Sequence, residues 1–347
     1  MKRFAITILA TFLFSGLAAF AQSGKVYGVD AGIPKGKSTN DYMFAFSFGG
    51  VNPYADPIPG AANDMGKLLG IPTVIEQTPQ DWEQNQQNVI LDGLVAKGIR
   101  GIFMMPSNAV AANTQITKMV KAGIPVVCIG GPPKEPSDAT LTLATDVYQS
   151  AFTGTTELIK ALGGKGNIVA LSGQVTDPNT VKRFQASKDA CAKYSGVHLI
   201  QTIGDIDDAE LSMTAVQNLL SARGNEVNGI ISTAYYPSVA VATILKGSKY
   251  SIKAVAIDTD SKVLDAIRSG VLLGTMSQNP YGQGYVATLT LKMLKDGWTY
   301  KKGQPFLVDS GSFFISKDNI DRLDQIKMDV TKKLLETWTS RFNPPAK

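Results

Sequence analysis

From residue 42 to residue 295 the sequence repeats one device: a short apolar run, a polar or glycine-containing break, then a stretch whose apolar residues recur at helical spacing. The runs at 42–48, 73–75, 101–105 and 125–129 read as strands, and 59–69, 82–97 and 111–121 as helices. Within 82–97, Val89, Ile90, Leu94 and Val95 mark one helical face and Gly98 stops the helix. After a short connecting strand at 141–144, a second series follows. Its helices are 147–162, 180–193, 209–222, 237–246, 262–269 and 282–295, and its strands are 167–171, 198–203, 229–232, 254–257 and 274–277. Strands this short and apolar have no polar face to give to water. They belong to a parallel sheet covered by helices on both sides. The expected fold is α/β, with two doubly wound parallel-sheet lobes in tandem and a boundary near 144–147.

The N-terminus reads as an address. Lys2 and Arg3 precede an apolar run at 4–14, and Ala19-Phe20-Ala21 forms a small-x-small cleavage site before Gln22. The run is too short for a membrane span, so 1–21 is expected to be a cleaved signal peptide. Residues 22–41 form a polar leader, and the mature protein is expected in the periplasm. No Cys follows the apolar run, which argues against a lipid-modified N-terminus.

Losing Lys2 and Arg3 takes the formal charge from +5 to +3. So small an excess gives no nucleic acid footprint, and Lys301-Lys302 and Lys332-Lys333 read as solvated surface. Cys128 closes an apolar strand, while Cys191 lies on a helix of the other lobe; two free, buried thiols are expected rather than a bridge. The single His198 sits in an apolar strand, so no paired-His metal site can form. No nucleophile elbow or phosphate loop occurs. Gly163-Gly164-Lys165-Gly166 precedes a strand and is a helix stop. Asp205, Asp207 and Asp208 stand just before a helix, where carboxylates favour the N-terminus. Neither an enzyme, a cofactor nor a metal is expected.

In doubly wound sheets, ligands sit outside the carboxyl ends of the strands. Those ends carry Asn52-Pro53-Tyr54, Ser107-Asn108, Gly130-Gly131, Thr176-Asp177, Tyr235-Tyr236, Asp258 and Gln278-Asn279. Amides, carboxylates and phenols in this mixture suit a neutral, hydroxyl-rich ligand: the polar groups exchange hydrogen bonds with hydroxyls, and aromatic faces cover the C–H side. The candidate ligand-binding residues are Asn52, Tyr54, Asp177, Tyr235, Tyr236, Asp258 and Gln278. Each also suits a turn or a helix cap.

In order and spacing these segments resemble a known family, the type I periplasmic binding proteins of bacterial ABC importers, of the ribose- and galactose-binding kind. The likeness runs from Tyr42 to Ser316. It rests on Asn52-Pro53-Tyr54, on the stretches 94–102 and 122–127, on Ile257-Asp258, and on Ser277-Gln278-Asn279-Pro280 with Gln283-Gly284. The resemblance implies two lobes joined by three crossing segments, with hinges near Thr145-Asp146, Gln278-Asn279 and Asp309. Residues 42–144 plus 279–308 would form the N-terminal lobe, and 145–278 plus 309–347 the C-terminal lobe. It also implies departures. Gly130-Gly131 stands where the sugar binders carry Asp-Arg, Val181 where they carry an Arg (with Arg183 two residues on), and Ala234 where they carry an Asn.

The expected function is capture of a sugar or polyol between the lobes and its delivery to a membrane permease, by a monomer that binds no nucleic acid. The departures leave open a smaller polyol, a deoxy or methylated sugar, or a non-sugar solute. A ligand-presenting partner of a chemoreceptor or sensor kinase is the alternative of another class. A DNA-binding regulator would need a helix-turn-helix where the export signal stands, and a secreted glycosidase lacks recognisable machinery.

Overall fold

The computed structural model describes residues 42–72 and 74–346; the expected signal peptide and leader lie outside them. The chain begins with β1 (Phe44–Ser47), α1 (Pro57–Leu69), β2 (Val74–Glu76), α2 (Gln84–Ala96), β3 (Gly101–Met104), α3 (Ala112–Lys121), β4 (Val126–Ile129) and β5 (Thr142–Ala144). A second series follows: α4 (Val147–Ala161), β6 (Lys165–Leu171), α5 (Pro178–Ala192), β7 (Gly196–Ile203), α6 (Ala209–Arg223), β8 (Gly229–Ser232), α7 (Tyr235–Leu245), β9 (Lys253–Ile257), α8 (Ser261–Arg268) and β10 (Gly274–Gln278). The chain then runs through α9 (Pro280–Lys295), β11 (Thr299–Tyr300), β12 (Leu307–Asp309), β13 (Ser312–Ser316), α10 (Leu323–Glu336) and β14 (Phe342–Asn343).

Two six-stranded sheets result, ordered β12-β5-β4-β3-β1-β2 and β13-β10-β9-β8-β6-β7. Every pairing in the first is parallel, and in the second only β13 runs antiparallel, along β10. The central strands β1, β3, β4, β5, β8 and β10 are buried throughout, whereas the edge strands β2, β7, β12 and β13 are partly exposed. In β1, Phe44 and Phe46 enter the core beneath α1 and α9, while Ala45 faces the core of α2 and α3. In β6, Val169 and Leu171 face the α6–α8 side, and Ile168 and Ala170 face α4 and α5. Cys128 and Cys191 are free and sit in different cores, one in each lobe. The segment read as a connecting strand, β5, is an integral strand of the first sheet between β4 and β12.

The chain passes between the lobes from β5 to α4, from β10 to α9, and from β12 to β13. Two of these passages are tied to the third. Asp309 Oδ1 accepts from the backbone N–H of Asp146 at 2.9 Å, and Asn279 Nδ2 donates to the carbonyl of Ser310 at 3.0 Å.

One expectation needs correction. Residues 309–347 were assigned to the C-terminal lobe, but β14 pairs with β11, and Leu335, Trp338 and Phe342 lie in the core of the first lobe. Only the start of this segment belongs to the second lobe, where Ile315, Ile320 and Leu323 are buried. The cause is one large side chain: Trp338 is fully buried, and its Nε1 donates to Thr290 Oγ1 on α9 at 3.0 Å. Helix α10 therefore makes a fourth passage between the lobes.

Candidate functional site

A cleft of about 250 Å³ opens between the lobes at the hinge. Its first-lobe wall is Pro53, Tyr54, Asp56 and Pro57. Tyr235, Asp258, Thr259 and Asp260 form the second-lobe wall, with Ser277 to Tyr281 as the floor and Lys327 at the side. Both walls stand at carboxyl strand ends. Tyr54 follows β1 and Tyr235 follows β8, each beside the point where its sheet reverses strand order. The volume lies just below the range usual for drug-sized ligands, so the cleft suits a compact solute.

Asp258 is the chemical centre of this cleft. It directly follows β9 in the left-handed region, with φ at 66°. That conformation is uncommon outside glycine, although Asp and Asn tolerate it better than most residues. Gln278 Nε2 donates to its Oδ1 at 2.8 Å. Burial outweighs this bond and the nearby charge of Arg183, and the Asp258 carboxyl is pushed up to about 6. Next to it, Tyr235 donates its hydroxyl to Asp260 Oδ2 at 2.6 Å. Burial and that bond hold the Tyr235 phenol well above its ordinary range.

On the opposite wall Tyr54 is fixed from two sides. Asn52 accepts the Tyr54 backbone N–H on Oδ1 at 2.9 Å, which closes the short 3-10 turn Pro53–Ala55. Gln283 Nε2 donates to the Tyr54 hydroxyl at 2.9 Å and to Ser310 Oγ at 3.0 Å, while its Oε1 accepts from the Gly130 N–H at 3.1 Å. Burial, followed by the charge of Asp258, raises the Tyr54 phenol, which stays a neutral hydroxyl. Its ring continues an aromatic series: Phe48 lies 6.1 Å from Tyr54 and 5.5 Å from Trp82, centroid to centroid.

Of the seven residues singled out in the sequence, Tyr54, Tyr235, Asp258 and Gln278 line this one cleft. The other three are not among its lining residues. Asn52 holds the Tyr54 turn, as above. Asp177 caps α5 by accepting from the Asn179 N–H at 2.9 Å. Tyr236 meets Tyr235 edge to face, with the rings 5.3 Å apart. Sequence reasoning missed Asp260, Tyr281 and Lys327. The first could have been found as the cap of α8 two residues beyond Asp258; Lys327 carries no local signal at all.

The departures at the usual sugar-gripping positions have structural counterparts. Val181 is 57% exposed. Arg183, two residues further along α5, supplies the positive charge felt by Tyr54, Asp207 and Asp258. Gly130 has φ at 69°, which glycine adopts without strain, and a Cβ there would stand only 2.8 Å from Met105 Sδ. A Cβ on Gly131 would already stand 3.4 Å from Asn179 Nδ2 of the second lobe. The two lobes come close together at the position where the family resemblance implies long side chains.

Paired doubly wound lobes with a polar cleft at the hinge define the architecture of a solute-binding protein. The chain belongs to the periplasmic binding protein domain family: a model of that domain matches residues 44–298. It is 25% identical over 282 residues to the D-apiose import binding protein of Paraburkholderia graminis, spanning 80% of this chain and 88% of that protein. It is also 23% identical over 232 residues to the xylitol-binding protein of Mycolicibacterium smegmatis, 67% of this chain and 65% of that one. Among solved structures, a solute-binding protein from Burkholderia graminis in complex with D-arabinose superposes with a TM-score of 0.75 at 24% identity, covering 82% and 98% of the two chains. This is a family of transporter binding proteins rather than of enzymes, and it gives the protein a periplasmic place of work. Among the described residues no helix is long and apolar enough to cross a membrane, and no group of three or more His, Cys, Asp or Glu is placed to hold a metal ion.

Proposed function

We propose that this protein captures a small hydroxylated solute, a sugar or polyol, between its lobes and delivers it to the membrane permease of an ABC importer. The observation that carries this reading is the Asp258–Gln278 pair at the hinge, flanked by Tyr54 on one wall and Tyr235 on the other. A carboxylate accepts from hydroxyls, an amide donates and accepts, and the ring faces cover the C–H side of a sugar. The relatives named for D-apiose and xylitol support the class, because both compounds are neutral and densely hydroxylated.

In this reading Tyr54, Tyr235, Asp258 and Gln278 touch the ligand, Asn52 and Tyr236 hold Tyr54 and Tyr235 in place, and Asp177 caps α5. Ligand contacts on both walls favour the closed arrangement by their difference in affinity between closed and open states. The protein acts as a monomer without turnover, cofactor, metal or nucleic acid. Residues 1–21 are removed on export, leaving a chain that starts at Gln22.

The test is a thermal-shift screen of residues 22–347 against pentoses, hexoses, polyols, nucleosides and amino acids. A ligand at a hundred times its dissociation constant adds about 2.7 kcal/mol, a rise of several degrees for a protein of this size. A shift with sugars or polyols, recovered chemically unchanged, supports the proposal. Shifts confined to amino acids or nucleosides, or a ligand returned as a hydrolysed product, would overturn it.

A further inference from the structure

Lys327 differs in origin from the rest of the cleft. Every other lining residue follows a strand end or belongs to the β10–α9 hinge; Lys327 projects from α10, the helix that crosses back to the first lobe. Its placement is set at both ends of that helix. Ile320 and Leu323 are buried in the core of the second lobe, and Leu335 and Trp338 in that of the first. Between these anchors, Thr331 is fully buried and accepts from Asn279 Nδ2 at 3.1 Å. Lys327 and Thr331 are four residues apart and so share a helical face. The contact that pins α10 to the hinge therefore also aims Lys327 at the cleft.

The electrostatics show what it faces. Burial depresses the Lys327 ammonium, and the charges of Asp324 and Asp258 oppose that shift. Lys327 thus lies within the field of Asp258, yet among the described residues no ion pair joins them. Asp258 uses Oδ1 for Gln278, and no hydrogen bond falls on its Oδ2 among the described residues. A carboxylate oxygen with accepting capacity and an ammonium with donating capacity thus border the same small cleft without engaging one another.

We infer that Lys327 is a specificity-determining ligand contact, donating to one hydroxyl of a vicinal diol while Asp258 accepts from its neighbour. The inference rests on the proposed function and sharpens it. The solute carries two adjacent hydroxyls at the hinge end of the cleft, and an analogue lacking one of them is rejected. Rejection follows because one buried charged group would be left without its partner.

The test is calorimetric binding of xylitol, D-ribose, D-arabinose and myo-inositol, with 2-deoxyribose as the deoxy probe, to the wild type, K327M and K327Q. Wild-type protein should bind at least one of the fully hydroxylated compounds and discriminate against the deoxy probe. Both variants should bind that compound roughly 10- to 100-fold more weakly, the range for a hydrogen bond to a charged group. They should also lose most of the discrimination, with the melting temperature of the free protein not lowered. T331V supplies the positional control: it should weaken binding less than K327M and retain part of the discrimination. Wild-type binding with unaltered affinity and discrimination in K327M would overturn the assignment alone. Wild-type protein that binds no sugar or polyol in the thermal-shift screen would overturn the assignment and the proposed function together.

Discussion

Gln278 donates to Asp258 Oδ1 at 2.8 Å, and the residue after Gln278 is the hinge residue Asn279, whose side chain bonds Ser310 of the neighbouring crossing. The orientation of the central carboxylate is thereby set by the strand that leads into the hinge. Whatever loads Asp258 also loads the point about which the lobes turn.

Asp258→Asn should abolish ligand binding while raising stability at neutral pH. The Asp258 carboxyl is raised by burial to about 6 from an ordinary 3.8. The native state therefore holds this proton more tightly than the unfolded chain does. Its contribution to stability is complete below about pH 4 and is lost as pH rises towards 6. Asn fits the left-handed backbone and does not titrate. Melting temperatures of the two proteins should converge near pH 4, with the variant higher at pH 7; a constant difference across that range would contradict the shifted carboxyl. Ligand affinity of the wild type should fall as pH drops below 6.

Tyr54→Ala should weaken binding by about 1–3 kcal/mol, the scale of burying a large apolar side chain. Tyr54→Phe should lose less, because Gln283 Nε2 still has Ser310 Oγ. Calorimetry separates the two, and equal losses would place the effect in the hydroxyl rather than the ring.

Gly131→Arg, which restores half of the Asp-Arg pair of other sugar binders, should impair closure here. Its Cβ would be in van der Waals contact with Asn179 Nδ2 and Met105 Cε at 3.4 Å, leaving the long guanidinium side chain to be packed between the lobes. Overpacking on this scale costs about 1–3 kcal/mol, or roughly ten- to hundredfold in affinity. Small-angle scattering should show less ligand-dependent compaction than in the wild type.

Asp296→Ala should destabilise the first lobe severely. Lys292 is fully buried on α9, pairs with Asp296 and lies 5.2 Å from the Tyr42 ring centroid. Tyr42 donates its hydroxyl to the same carboxylate at 2.6 Å. Removing the counter-charge of a buried pair costs about 3–5 kcal/mol. Replacing both partners, as in K292M/D296L, should recover much of that loss in chemical denaturation.

Trp338→Ala should cost about 3–5 kcal/mol, as large aromatic deletions do, and should loosen α10. If α10 aims Lys327, the same variant should also bind its solute more weakly at temperatures where it remains folded.

The double lobe was readable in the sequence because each strand carries its own statement of burial. Gly229–Ser232 is apolar until its last residue and is bounded by polar turns, and its strand ends where the sequence says. Helix α7 shows the opposite case. Tyr235 and Tyr236 favour strands by propensity, and Pro237 looked like a first helical residue, yet the helix starts two residues earlier. The cleft was legible as far as strand ends compose it, since topology alone brings Tyr54, Tyr235, Asp258 and Gln278 together. Arg183, two residues beyond Val181, was visible as a neighbouring charge but not as the group whose field reaches Asp258. Lys327 was hidden more deeply. The apolar spacing of α10 declares an amphipathic helix but does not say which lobes its two ends enter, and Trp338 settles that through a contact 48 residues away in the chain.

The return of the chain to the first lobe has a consequence for biosynthesis. The second lobe is nearly continuous, from α4 to β10, with β13 and the start of α10 added. The first is assembled from three separated stretches, the last of which contains Trp338 and Phe342. During synthesis, domains fold as units once their residues are available. The second lobe therefore has all of its residues once the start of α10 has been made, while the first still waits for its closing tryptophan. The lobe begun first is finished last.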